Sequence, residues 1–369
     1  MQDSKIIHLV KNLSNIYGAP GFEGRVADFI EGYTQGFGPV TRDKMSNLYL
    51  SREGNHFALD DCVGKRRESG RLTVQLDAHM DEVAFMVSAI RENGCLEFIT
   101  LGGWVSSNIP AHLVEVRKRN GEYITGLTTS KPPHFMSEEE RKSALKLEDI
   151  VIDIGCNSAV EVAELGIDIG APVVPKTACS YDEERGLFLG KAFDCRAGCA
   201  AMIGTLETLE NKALQVDVTA AFSTQEEVGT RGAQVTANRV KPDLAIVFEG
   251  CPADDTFMPE YKIQTAINRG PMLRHIDNRM ITHPGFQRYA LDLAEERGIP
   301  VQSAVRSGGS TNGAPIHLSN LAVPTIVVGI PVRYIHTAYS IMSLADLKNA
   351  IALASAIIEE MDIGIFASL

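Results

Sequence analysis

The chain has 369 residues, 44% of them apolar and 22% charged, which is material for about two domains with full cores and excludes a single small module, a disordered chain or a fibrous repeat. Lys and Arg number 35 against 47 Asp and Glu, a net charge of −12; this repels phosphate backbones and anionic membranes and leaves metal cations and neutral or cationic ligands open. Seven cysteines at irregular spacing, an N-terminus (MQDSKIIHLVKNL) without a signal-peptide pattern and no apolar run of membrane-spanning length read as a reduced, cytoplasmic protein with neither nucleic acid nor membrane as partner.

In chain order, Ile7, Val10, Leu13 and Ile16 recur at helical spacing and predict a helix from Ser4 to about Tyr17. GAPGFEG breaks it, and a second helix follows over Val26 to Tyr33. Leu72–Leu76 reads as a buried strand that runs directly into Asp77-Ala78-His79-Met80-Asp81-Glu82. From about Phe85 to Thr177 the texture changes to short β-rich runs (HLVEVRKRNGEYITGL, DIVIDIG, APVVP) separated by Gly, Pro and Asn-Gly turns.

After Phe188 strands and helices alternate again: a helix over Ala200 to Leu214 with Met202, Leu206 and Leu209 on one face, a strand Val216–Phe222, and a strand Leu244–Phe248. A helix near Phe286 to Arg297, a strand Thr325–Gly329 and a last helix Leu344–Met361 complete the chain, the last opened by the capping-box-like Ser343-Leu344-Ala345-Asp346. The alternation predicts an α/β fold, a mainly parallel sheet sandwiched by helices. Residues 1–84 and 178–369 would form that α/β domain, and residues 85–177 an inserted, mostly β domain.

Sites in open α/β sheets lie at the carboxyl ends of strands, and the residues there are one-sided in chemistry. His79 and Asp81 follow the first strand, Glu226 and Glu227 the second, Glu249 the third and His336 the fourth, while Asp194 sits in KAFDCRAG just before a helix. Two imidazoles with carboxylates suit Zn²⁺, Co²⁺ or Mn²⁺ better than Mg²⁺ or Ca²⁺. Five ligands, His79, Asp194, Glu227, Glu249 and His336, are too many for one open catalytic zinc and suit two divalent ions. Three ligand carboxylates and one hydroxide would balance two such ions, leaving Glu226 free as a general base. Asp81, at i+2 from His79 in an extended segment, is placed to accept a hydrogen bond from the imidazole nitrogen not used for binding.

Singly, each of these residues has an ordinary reading: a polar strand end, or a solvated pair of glutamates. The Glu226-Glu227 pair follows an apolar strand, where solvated pairs are less expected. His112, His134, His275, His283 and His317 read as structural or surface residues, Cys195, Cys199 and Cys251 as packing residues, and Arg196 and Arg231 as structural ion-pair or orienting residues. Gly308-Gly309 lacks a phosphate-loop pattern and reads as a tight loop approaching substrate.

LDAHMDEVAFMV, KAFDCRAG, STQEEVGTRGA, SGGSTNGAPIHL and GIPVRYIHTAYSI occur in this order, and with them the chain resembles the tetrahedral aminopeptidases, a family that includes glutamyl aminopeptidases and relatives once labelled cellulases. The likeness extends to LGGWV and KPPHF in the inserted segment. It implies a dinuclear metallo-aminopeptidase acting on short peptides with a free N-terminus, an inserted dimerisation domain, and dimers assembling into a dodecamer. It further implies that His79, Asp194 and Glu249 hold one ion and Asp194, Glu227 and His336 the other, with Asp194 bridging, Glu226 as base and Asp81 as the partner of His79. Two places depart from the pattern: Glu249 stands where the family usually has Asp, and the family's GGTDAG segment reads Gly308-Gly309-Ser310-Thr311-Asn312-Gly313, without its carboxylate. Two other readings compete: a glycoside hydrolase using two carboxylates, for which one Trp and 7% aromatics offer little stacking surface, and a metal-binding assembly protein weakened in turnover by Glu249 and Asn312.

Overall fold

The computed structural model describes residues 1–38, 40–51 and 70–369. Its larger sheet is parallel at the centre, where strand Asp217–Ser223 lies beside Thr73–His79, then Leu244–Pro252, then Thr325–Arg333. Both flanks are antiparallel, through Leu48–Ser51 on one side and Ser340–Ser343 with Leu187–Gly190 on the other. The expected mainly parallel sheet is thus the middle of a mixed one.

The central strands are apolar almost without interruption because both of their faces are covered. Leu244, Ile246 and Phe248 point into the large core with Val74, Leu76, Ile326 and Val328. Helices Asp3–Asn15, Phe193–Leu209 and Leu344–Glu360 cover that face. The alternate residues Ala245, Val247 and Val327 face a smaller core with Ala233, Ala237 and Ile316 from helices Arg231–Val240 and Gly313–His317.

Several expected elements are displaced for local reasons. The third central strand runs on to Pro252 and the fourth to Arg333 because the two pair with each other over that length. The helix expected from Ala200 begins at Phe193 and is interrupted at Asp194 and Cys195, whose backbone angles are not helical. Ser343 caps the last helix by accepting from Ala345 N, but the box is not closed by Asp346. That carboxylate turns instead to Asn268 N and Gly270 N, each at 2.7 Å.

The second unit is a closed antiparallel barrel of six strands between Ala84 and Pro175, in the order Ala84–Ile90, Leu96–Leu101, Ile150–Asp153, Tyr123–Ser130, His112–Arg117, Pro172–Pro175. Closure leaves it no open sheet edge. Phe85, Val87, Phe98, Val114, Val116, Ile152 and Val173 fill it, with Phe85 against Phe98 and Trp104 at centroid distances of 4.8 and 4.6 Å. Its first strand starts five residues after His79, so the barrel springs from the carboxyl edge of the larger sheet. The six described cysteines are all free thiols; Cys62 lies outside the described residues. No described helix is long and apolar enough to cross a membrane.

Candidate active site

The carboxyl ends of the four central strands converge, as an open parallel arrangement requires. His79 is the last residue of its strand, Glu226 and Glu227 lie in the turn after Ser223, and His336 follows Arg333 with a positive φ of 58°. Glu249 differs from expectation: it lies inside its strand, opposite Gly329, because that strand continues past it. Asp194 reaches the same point from the interrupted first turn of its helix, where Gly250 leaves room; a Cβ there would sit 2.7 Å from Asp194 Cα.

The five expected ligands fall into two groups that share Asp194. His79 Nε2 is 3.0 Å from Asp194 Oδ1 and 3.2 Å from Glu249 Oε1. His336 Nε2 is 3.2 Å from Asp194 Oδ2 and 3.6 Å from Glu227 Oε2. Each group has donor atoms within 4.8 Å of one another, and the first also takes in Cys195 Sγ. Glu226 belongs to neither, yet its Oε2 lies 4.0 Å from His79 Nε2. The side chain of His336 is 35% exposed while those of His79, Glu227 and Glu249 are almost fully covered, so the cluster opens on the His336 side.

The donor set fits a pair of divalent ions. Oε2 of Glu249 and Oε1 of Glu227 are buried with no hydrogen-bond partner among the described residues, and Oε1 of Glu249 has only the His79 imidazole 3.2 Å away. A native fold rarely leaves buried carboxylate oxygens unpaired, because each forfeits its hydration without return. Cations between these groups would complete them, and the mix of imidazole and carboxylate matches Zn²⁺, Co²⁺ or Mn²⁺.

The same crowding shifts the proton affinities of these groups. Burial pushes Glu226 and Glu227 well above the usual carboxylate range, and the neighbouring negative charges add to it. Burial and Asp194 raise Glu249 to about 7. Burial also acts upward on Asp194, but its hydrogen bonds with His336 and His79 outweigh it and hold that carboxyl far below its ordinary value. For His79, burial favours the neutral ring and is overcome by Glu249, Asp194 and Asp81.

The supporting residues are only partly those expected. His79 Nδ1 faces two oxygens of Asp81, the backbone carbonyl at 3.1 Å and Oδ1 at 3.3 Å. The Asp81 carboxylate also does something the i+2 spacing does not reveal: it accepts from Glu226 N and Glu227 N, each at 3.0 Å. The second imidazole is oriented from the barrel, with Gly103 O 3.1 Å from His336 Nδ1. Cβ atoms on Gly102 and Gly103 would stand 2.9 Å from Glu227 Oε2 and from His336 Nδ1. LGGWV therefore borders the site, and its paired glycines are the signal in the sequence that marks it.

The remaining candidates lie outside the two groups, Cys195 excepted. Cys195 Sγ donates to Phe248 O and Cys199 Sγ to His79 O, so both thiols are occupied in packing the strand ends. His283 caps the helix Pro284–Glu296, and His112 and His317 bond local carbonyls. Arg196 is buried, bonding the carbonyls of Leu13 and Ile16. Asn312 donates to Asp77 beneath the site.

Residues 62–353 match the family described as M42 glutamyl aminopeptidase. The chain is 31% identical over 360 residues to the glutamyl aminopeptidase of Lactococcus lactis, covering 96% of each. In structure it is similar to the TET aminopeptidase of the marine sediment archaeon Thaumarchaeota archaeon, at a TM-score of 0.91 and 32% identity over 99% of this chain and 98% of that one. It is also similar to the Pyrococcus horikoshii TET1 peptidase, which can assemble into a tetrahedron or a large octahedral shell, at a TM-score of 0.83 and 27% identity over 96% of this chain and 100% of the other.

Proposed function

The chain belongs to the M42 glutamyl aminopeptidase family and is thereby a metal-dependent aminopeptidase; we propose that it works with two divalent ions and with Glu226 as general base, on short peptides bearing a free N-terminus. In this reading His79, Asp194 and Glu249 hold one ion, and Asp194, Glu227 and His336 the other. The observation that carries it is the pair of ligand groups sharing Asp194, with orphaned carboxylate oxygens on Glu227 and Glu249.

Bound ions would supply Lewis acidity, polarising the scissile carbonyl and making an attacking water more acidic. The chain's own residues do the rest. Glu226, beside the cluster without belonging to either group, accepts the proton of the attacking water and delivers it to the departing amine. Asp81 fixes Glu226 and Glu227 through their backbone amides and His79 through Nδ1. Gly103 O holds the ring of His336. In the same reading residues 85–177, with the barrel, form a dimerisation domain, dimers build a dodecamer, and the enzyme acts in the cytoplasm.

The test is to strip the protein with chelator and restore Zn²⁺, Co²⁺ or Mn²⁺ separately. Bound metal is counted, and free-amine peptides, their N-acetylated forms and a soluble cellulose are assayed. Two ions per chain with cleavage of the free-amine peptides alone is the expected result. Cellulose cleavage would favour the glycoside hydrolase, and two bound ions without turnover the assembly protein.

A further inference from the structure

We propose that Glu23 is a positioning residue for Glu226, holding the turn that carries the base through the amide just before it; this rests on the reading of Glu226 as base. The turn follows strand Asp217–Ser223 and reverses at Gln225, which sits in the left-handed region at φ 55°. A non-glycine residue stays in that region only where its surroundings hold it. Three successive amides there meet carboxylates: Gln225 N donates to Glu23 Oε1, Glu226 N to Asp81 Oδ1 and Glu227 N to Asp81 Oδ2, each at 3.0 Å.

Glu23 comes from a distant part of the chain, the loop before helix Gly24–Tyr33, and is 2% exposed. The same Oε1 accepts from Gly21 N at 2.8 Å, so one oxygen ties its own loop to the active-site turn. That loop is itself anchored. Gly18 N donates to Glu82 Oε1 at 3.1 Å, Glu82 N donates to Gly18 O at 3.1 Å, and Arg196 Nη1 bonds Leu13 O and Ile16 O at 2.7 and 3.0 Å. Asp81 and Glu82, adjacent in sequence, thus grip the two halves of one frame, and Glu23 closes it. No ion pair to Lys, Arg or His is found for Glu23 among the described residues, and burial with the nearby Asp81 charge pushes its carboxyl up to about 7 against the amide bonds it accepts. A catalytic group displaced by about 1 Å loses on the order of a hundredfold in rate, which is the scale on which a loosened frame would be felt.

The metal-loaded enzyme and three variants test this with a free-amine peptide. Glu23→Gln keeps the acceptor oxygen, Glu23→Asp shortens it by one methylene and Glu23→Ala removes it. We expect kcat to fall at least tenfold in Glu23→Asp and Glu23→Ala with KM within twofold, and to stay within threefold of the parent in Glu23→Gln. Metal content should remain at the parent level, and amide hydrogen exchange across residues 224–229 should quicken in Glu23→Asp and Glu23→Ala. The proposal is overturned if Glu23→Asp and Glu23→Ala keep kcat within twofold, if Glu23→Gln loses as much as Glu23→Ala, or if kcat falls only in proportion to metal or folded protein. Glu226→Gln in the same assay separates the two readings: near-parental turnover there refutes the base, whereas faster exchange in Glu23→Ala reports the clamp whatever the base is.

Discussion

Asn312 donates through Nδ2 to Asp77 Oδ1 at 2.8 Å, in a pocket where both residues are almost wholly buried. Ser223 Oγ reaches the same oxygen at 3.0 Å, and Gln75 Nε2 and Thr236 Oγ1 reach Oδ2 at 3.1 Å each. A carboxylate thus sits one hydrogen bond from Asn312, at position 77, and Asn312 is one of its buried donors. Asn312→Asp would set two carboxylates against each other and should cost about 3 kcal/mol, and Asp77→Asn about 2 kcal/mol by leaving donors without an acceptor. The double variant exchanges the roles and should return to within about 1 kcal/mol of the parent. Urea unfolding of the four proteins forms the cycle; strictly additive losses would show that the pair is not coupled.

Removal of the base and removal of a ligand should look different. Glu226→Gln keeps the size of a side chain that belongs to neither ligand group, so it should retain the parent's metal content and lose about 10²- to 10⁴-fold in kcat. His79→Ala and His336→Ala should instead lower the number of ions bound, each emptying one of the two groups that share Asp194. Metal analysis beside initial rates makes the comparison. Unchanged stoichiometry in both histidine variants would contradict the ligand assignment.

The gathering of polar residues at the strand ends was legible because it follows a general rule about parallel sheets, and the places of His79, Glu227 and His336 needed only the strands. Glu249 was found for a slightly wrong reason, since its strand does not end before it but continues to Pro252 through pairing with Thr325–Arg333. The second task of Asp81 was not legible, because its contacts are with backbone amides 145 and 146 positions away and amides leave no mark on a sequence. Glu23 was hidden in a loop that reads only as a helix break, and Gly103 in a segment assigned to the β insertion. Glu23 meets an amide 202 positions away in its own unit and Gly103 reaches across from the barrel, and no local pattern joins either pair.

Gly103 offers a test of how far the barrel takes part in the site. Its carbonyl lies 3.1 Å from His336 Nδ1, and a Cβ there would come within 2.9 Å of the same nitrogen, closer than side chains tolerate. Gly103→Ala should push the imidazole away from Asp194 and Glu227, weakening the ion in that group by about tenfold to a hundredfold, as losses of a ligand's orienting partner do. The group formed by His79, Asp194 and Glu249 should keep its ion. Titrating the stripped variant with Zn²⁺ would then show one tight and one weakened step. Two tight steps would mean that the turn around His336 yields without consequence.

Asp346 carries a pH dependence that stands apart from the metal cluster. Burial pushes its carboxyl up to about 6, against the hydrogen bonds from Asn268 N and Gly270 N that favour the charged form. An unfolded Asp titrates near 3.9. Because the folded state holds its proton more tightly, the stabilisation from this group is fully present below about pH 4 and is lost as the pH rises through about 6. A rise of that size in proton affinity is worth about 2–3 kcal/mol. Asp346→Asn keeps an oxygen for only one of the two amides, which bond different oxygens in the parent, and so loses some stability at every pH; it has no proton to gain, so this part of the pH dependence should vanish. Urea unfolding at pH 7 and pH 5, with stripped protein so that metal release does not intervene, should give the parent a relative gain on acidification that the variant lacks. An equal response in both proteins would place the titration elsewhere and leave Asp346 ionised throughout that range, as its two short amide bonds by themselves would favour.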